Sequence, residues 1–213
     1  MDEKEDLKKI EDKISQCRNC SLWHYPKAVP GEGPINSRVM FVGEAPGYHE
    51  SVQGRPFVGA AGKLLDQLLG SINLKRENVF IGNMLKHRPP DNRDPLPQEI
   101  EVCKPFLDGQ IKAIKPEVIV TLGRFSMNKF LPEEYISQAH GRVRKINYLG
   151  LEQILFPLYH PAAGLRNGQI LEALKTDFLA LGRFLKTVTI DSGQTNNPSG
   201  LDKPKEEQLS LVN

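Results

Sequence analysis

The chain has 213 residues, the length of one α/β domain and short for two, and its 39% hydrophobic and 25% charged residues are enough to bury a core. No apolar run approaches the ~20 residues of a membrane span, and three cysteines fall short of a disulfide framework. The start, Met1-Asp2-Glu3-Lys4-Glu5-Asp6, lacks the chemistry of a signal peptide, so the expectation is a cytoplasmic protein with reduced thiols, neither secreted, membrane nor fibrous. The net charge of +2 is unevenly spread. Residues 1–13 and 189–213 each carry −2, which leaves +6 on the body, a balance shared by nucleic-acid binders and ordinary basic enzymes.

In chain order, a charged helix precedes Cys17-x-x-Cys20. Residues 38–43 read as a buried strand ending in a Gly/Pro turn, followed by a helical pattern at Leu64, Leu65, Leu68 and Leu69. Residues 78–83 form a second strand, which leads into a Pro-rich loop (88–95) and a helix over 97–114. A third strand (118–123) is followed by a short helix ending near Pro132. A hairpin around Asn147-Tyr148-Leu149-Gly150 then leads to a fourth strand, 153–158. A last amphipathic helix spans 169–187. Alternating strands and helices predict a mostly parallel sheet covered on both faces, in one domain over 1–188. Residues 189–213 lose the pattern and read as a flexible tail. In such folds ligands sit at the carboxyl ends of strands, here the segments after Gly43, Asn83, Gly123 and Leu158.

Three constellations carry candidate chemistry. The loop after the first strand, from Gly43-Glu44-Ala45-Pro46-Gly47 to Gly59-Ala60-Ala61-Gly62, lets backbone approach a ligand closely or serves as a structural turn. It is neither a dinucleotide fingerprint nor a phosphate-binding Gly-Lys-Ser/Thr loop. His160, in Tyr159-His160-Pro161-Ala162-Ala163-Gly164-Leu165-Arg166, stands at the end of the fourth strand, where a histidine is either structural or a titrating functional group. Cys17-x-x-Cys20 with the distant Cys103 is compatible with zinc, redox chemistry or an iron–sulfur cluster, and His24 could complete a zinc set. A redox pair is disfavoured, because no βαβ strand precedes it.

Taken together and in order, these residues resemble the family 4 uracil-DNA glycosylases, the iron–sulfur group. The match runs from the CxxC through Val29-Pro30-Gly31-Glu32-Gly33-Pro34, Gly43-Glu44-Ala45-Pro46-Gly47 and Gly54-Arg55-Pro56-Phe57-Val58-Gly59. It continues through Lys86-x-Arg88-Pro89-Pro90-x-Asn92-Arg93 to His160-Pro161-Ala162 and Leu165-Arg166, over residues 14–187. The resemblance implies a three-layer α/β/α sandwich around a four-stranded, mainly parallel sheet, acting as a monomer on uracil-containing DNA. The base is flipped out of the stack before its glycosidic bond is cut.

By the same resemblance Phe57 is the stacking platform for the flipped base, otherwise a core Phe. Asn83, otherwise a turn former, reads the uracil edge by offering one donor and one acceptor. His160 faces uracil O2, where a donor stabilises the leaving base. Glu44 and Ala45 contact the base or position water, and Glu50 lies near C5, where bulk excludes thymine. Ala45 stands where family 1 carries an aspartate, so the expectation is a dissociative hydrolysis. No lysine at a motif position supports strand cleavage. Leu165 is the wedge that holds the nucleotide out, or else a helix-end hydrophobe, and Arg166 and Arg88 contact DNA. A covalent uracil-binding relative of this fold would need a longer basic loop after Arg88, and a non-catalytic DNA-binding or zinc module is the other alternative.

Most family 4 members have Lys-Cys-Arg-Pro-Pro where this chain has Lys86-His87-Arg88-Pro89-Pro90. Imidazole ligates iron in Rieske centres, so the expected [4Fe-4S] ligands are Cys17, Cys20, His87 and Cys103. The closing Gln208-Leu209-Ser210-Leu211-Val212 resembles the peptide by which bacterial repair proteins bind the sliding clamp, with Val212 in place of the usual Phe.

Overall fold

The β-branched and aromatic runs of the sequence pair into one sheet, as a computed structural model covering residues 3–24 and 27–192 describes (side chains over 4–24 and 27–188). In chain order the elements are α1 (Glu3–Ser15), β1 (Val39–Gly43), α2 (Tyr48–Gln53), α3 (Ala60–Ser71), β2 (Phe80–Asn83), α4 (Pro97–Ile114) and β3 (Val118–Leu122). There follow α5 (Arg124–Asn128), α6 (Ile136–Ala139), β4 (Arg144–Tyr148), β5 (Leu151–Leu158), α7 (Pro161–Gly164) and α8 (Gly168–Ser192). The strand order is β2-β1-β3-β5-β4, parallel except for β4. Among the described residues no helix is long and apolar enough to cross a membrane.

Strand side chains alternate between the faces. Val39, Phe41, Val118, Val120 and Phe156 pack under α3 and α8, against Leu65, Leu68, Phe178 and Leu181. Met40, Val42, Ile119 and Leu155 face the other way, onto Leu7 of α1 and Leu107 and Ile111 of α4. This is the expected three-layer sandwich.

The sheet has five strands where four were expected. The hairpin was anticipated, and its first arm joins the sheet as the antiparallel edge strand β4. Leu149 and Gly150, with φ of +57° and +80°, make a two-residue turn that suits a tight hairpin. Arg144 and Lys145 lie on that edge, where charge discourages further pairing. The last helix, expected over 169–187, is described from Gly168 as far as Ser192. The short helices α2, α6 and α7 carry too few turns to show a period in the sequence.

The chain leaves β1 for β2 on one side and returns past it to β3 on the other. The carboxyl ends of β1 and β3 therefore flank a topological switch point, the place where open α/β sheets bind ligands.

Candidate active site

A cleft of about 510 Å³ opens at that end of the sheet. Its floor depends on Gly43, the last residue of β1. A Cβ there would lie 2.3 Å from Asn83 Oδ1 and 2.7 Å from Phe57 Cζ, so only glycine lets both groups close in. Asn83 ends β2, is 1% exposed, and its Oδ1 has no hydrogen-bond partner among the described residues. Such an orphaned acceptor costs about 1–3 kcal/mol, a cost a ligand N–H would remove.

Phe57 is buried and has φ at +50°, a region a bulky side chain resists. Its ring centroid lies 5.7 Å from that of His160, with 28° between the planes. The Glu50 carboxylate accepts the N–H groups of Val58 and Gly59, both at 2.8 Å. It thus lines the cleft while holding the loop that carries Phe57.

His160 caps the start of α7, and its Nδ1 accepts the Ala162 N–H at 3.1 Å. The ring proton therefore sits on Nε2. Burial pushes the pKa of His160 down to about 4, against the pull of Glu50 and with help from Arg166, so the ring is neutral near pH 7. Glu44 moves the other way. Burial raises it to about 7, the charge of Asp94 adds to the rise, and Arg124, which pairs with Asp94, opposes it.

Of the residues singled out from the sequence, Glu44, Ala45, Glu50, Phe57, Asn83, His160 and Arg166 line this one cleft. Leu165 and Arg88 are not among its lining residues. Leu165 stands 52% exposed beside Arg166. The Arg88 Nε donates to Asn92 Oδ1 at 2.8 Å, and its guanidinium lies 5.5 Å from the exposed Tyr48 ring. The sequence reading passed over Asp94 and Arg124. Arg124 could have been found, since it follows Gly123, the residue just after the carboxyl end of β3 at Leu122.

The cysteines lie near one another outside the lining of this cleft. Cys103 of α4 is buried with Leu22, Leu85 and Cys20 around it, and its Sγ accepts the Lys86 N–H at 3.3 Å. Burial pushes its thiol up to about 11; Lys86 opposes this, while Cys20 and Cys17 add to it. Cys17 and His87 line a second cavity, of about 810 Å³, with Arg18 and Trp23. Burial lowers the pKa of His87, which favours the neutral imidazole a metal requires. The His24 ring lies against Trp23, with centroids 4.0 Å apart and the planes tilted by 31°. Among the described residues no three His, Cys, Asp or Glu side chains converge tightly enough for a metal ion. A polynuclear cluster spreads its ligands more widely than one ion does, and three sulfurs, an imidazole and an N–H donor to sulfur form a donor set that fits it.

The fully buried Lys86 joins the two regions. Its Nζ donates to the Asn83 carbonyl at 2.8 Å and to Gln110 Oε1 of α4 at 2.7 Å.

Fold and cleft together define an α/β protein built to receive a flat, polar ring at the carboxyl ends of its parallel strands. Comparison with known proteins agrees. The model of the uracil DNA glycosylase superfamily matches residues 30–180. A type-4 uracil-DNA glycosylase of Saccharolobus solfataricus is 44% identical, covering 88% of this chain and 91% of the relative. Those of Sulfurisphaera tokodaii and Archaeoglobus fulgidus are each 46% identical, covering 87% and 84% of this chain and 89% and 94% of the relatives. The chain belongs to the uracil-DNA glycosylase superfamily, in its type-4 family.

Proposed function

We propose that this protein excises uracil from DNA, hydrolysing the N-glycosidic bond of deoxyuridine and leaving an abasic site. The observation that carries this reading is the partnerless Asn83 Oδ1, buried beside Phe57. Uracil N3–H supplies the missing donor and its O4 accepts from the Asn83 amide nitrogen, while cytosine presents the opposite pattern and is refused. Phe57 stacks on the flipped base. Glu50, fixed by two backbone amides, fills the space beside C5 where thymine carries its methyl group.

As the C1′–N1 bond breaks, its electron pair passes to the base and charge grows on O2. Neutral His160, with its proton on Nε2, donates to that oxygen. The oxocarbenium-like sugar is captured by water at C1′, and the proton released passes to solvent. Ala45 offers no base, so Glu44 is the residue proposed to orient the water. Leu165 serves as the wedge in the base stack, and Arg166 and Arg88 contact phosphates. No lysine lines the cleft among the described residues, in keeping with base removal without strand cleavage.

Cys17, Cys20, His87 and Cys103 are proposed to hold a [4Fe-4S] cluster, which when bound supplies a rigid cross-link between the Cys17 segment, the Pro-rich loop and α4. The protein is read as a cytoplasmic monomer. The clamp-binding peptide at 208–212, proposed from its sequence, lies outside the described residues.

The test is a synthetic duplex carrying one uracil, treated without heat or alkali. Free uracil with repeated turnover and an intact strand is the expected result. A stuck covalent complex, binding without release, or a nicked product would overturn the reading.

A further inference from the structure

Phe57 keeps its unfavourable backbone because two side chains grip it from opposite sides. Arg76, in the 3-10 turn Arg76–Asn78 that precedes β2, donates from Nη2 to the Pro56 carbonyl at 2.5 Å. Its Nη1 donates to the Phe57 carbonyl at 3.2 Å. These two carbonyls belong to the peptide planes on either side of the Phe57 Cα. Holding both planes therefore holds φ and ψ of that single residue. Glu50 grips from the other side, since the Val58 N–H it accepts lies in the same plane as the Phe57 carbonyl. Gly62 of α3 closes the remaining space, because a Cβ there would sit 1.9 Å from the Phe57 oxygen.

Arg76 is aimed in its turn. Nη1 also donates to Asp66 Oδ1 at 3.0 Å, and Nε lies 3.7 Å from Glu32 Oε1. Glu32 is held by Arg55 through two contacts, at 2.6 and 2.8 Å. It is also anchored to the sheet, where its backbone bridges Ile81 of β2. Neither Arg76 nor Glu32 lines the cleft. The Arg76 side chain is about three-quarters buried and gives two of its hydrogen bonds to backbone of the platform loop, which a surface ion pair alone does not require.

We infer that Arg76 is a positioning residue for the base platform: by fixing the two carbonyls that bracket Phe57 it keeps the ring in its stacking orientation. A guanidinium can span both carbonyls with separate nitrogens, which a lysine cannot. The inference rests on the uracil reading for its consequence in catalysis, though the clamp itself can be read without it.

The test uses the full-length protein with Arg76→Met, Arg76→Lys, Phe57→Ala and the double variant Arg76→Met/Phe57→Ala. Hydrogen exchange at the Val58 and Gly59 amides reads the loop directly, and should quicken in Arg76→Met by about tenfold or more as local opening becomes easier. Uracil release should lose about 10- to 100-fold in kcat, the scale of a misplaced reacting group, while affinity for uracil-free DNA is unchanged. Arg76→Lys should fall between, and serves in place of Arg76→Met if that variant does not fold. In the Phe57→Ala background, removal of Arg76 should cost nothing further, because the ring it positions is gone. Unchanged amide exchange overturns the inference, as does a loss in kcat that is equally large without Phe57. If the wild-type protein releases no uracil, the functional reading fails, and the exchange measurement still decides whether Arg76 holds the loop.

Discussion

Glu44→Gln tests whether burial governs the charge of the cleft. The Glu44 carboxyl titrates at about 7 in the folded protein against an ordinary value of 4.5, chiefly because burial disfavours the anion. A raised folded pKa means that the folded state binds the proton more tightly than the unfolded chain. The resulting stability is complete below pH 4.5 and is lost as pH rises through about 7. At 1.36 kcal/mol per pH unit, the wild-type protein above pH 7 carries a penalty of at most about 3 kcal/mol. Partial solvent access around the side chain lowers this to about 1–3 kcal/mol. Glutamine keeps the shape and never ionises. Urea unfolding should find the two proteins nearly equal at pH 4.5, and the variant more stable by that amount at pH 8.5. His160, titrating near 4, is present in both proteins and cancels from the comparison. Asp94→Asn should move the crossover to lower pH and Arg124→Ala to higher pH, since Asp94 raises the carboxyl and Arg124 lowers it. An equal difference at both pH values would refute the reasoning.

Asn83→Ala should cut uracil release about 100-fold or more, while urea unfolding shifts by less than ~1 kcal/mol, because an unpartnered buried acceptor leaves with the side chain. Gly43→Ala drives a methyl group into Asn83 and Phe57. It should abolish measurable uracil release and cost about 1–3 kcal/mol of stability. Purified without oxygen, the protein should be brown and contain iron and sulfide. His87→Ala should bleach it, and His87→Cys should keep the colour at a lower reduction potential, since thiolate adds the negative charge imidazole lacks. Colourless protein with one zinc would end the cluster assignment.

The parallel strands were legible because a strand buried on both faces must be a continuous apolar run, and Val39-Met40-Phe41-Val42 and Val118-Ile119-Val120 can be little else. Their order in space was not legible, and neither was the membership of β4, whose half-exposed alternation around Arg144 and Lys145 carries no strong signal. Ordered motifs placed Phe57, Asn83 and His160 among the candidates. Motifs list residues, however, and say nothing about what restrains them. That His160 keeps its proton on Nε2 follows from one backbone N–H of α7. That Glu44 titrates near 7 follows from the walls of the cleft and from Asp94 and Arg124, fifty or more residues away along the chain. That Phe57 holds φ at +50° follows from Arg76 and Glu50, which converge on it from different elements. Local pattern determined which elements form, because propensity and burial act over a few neighbouring residues. Charge state, tautomer and loop strain depend on groups that meet only when the sheet is assembled, so the tertiary structure alone decided them.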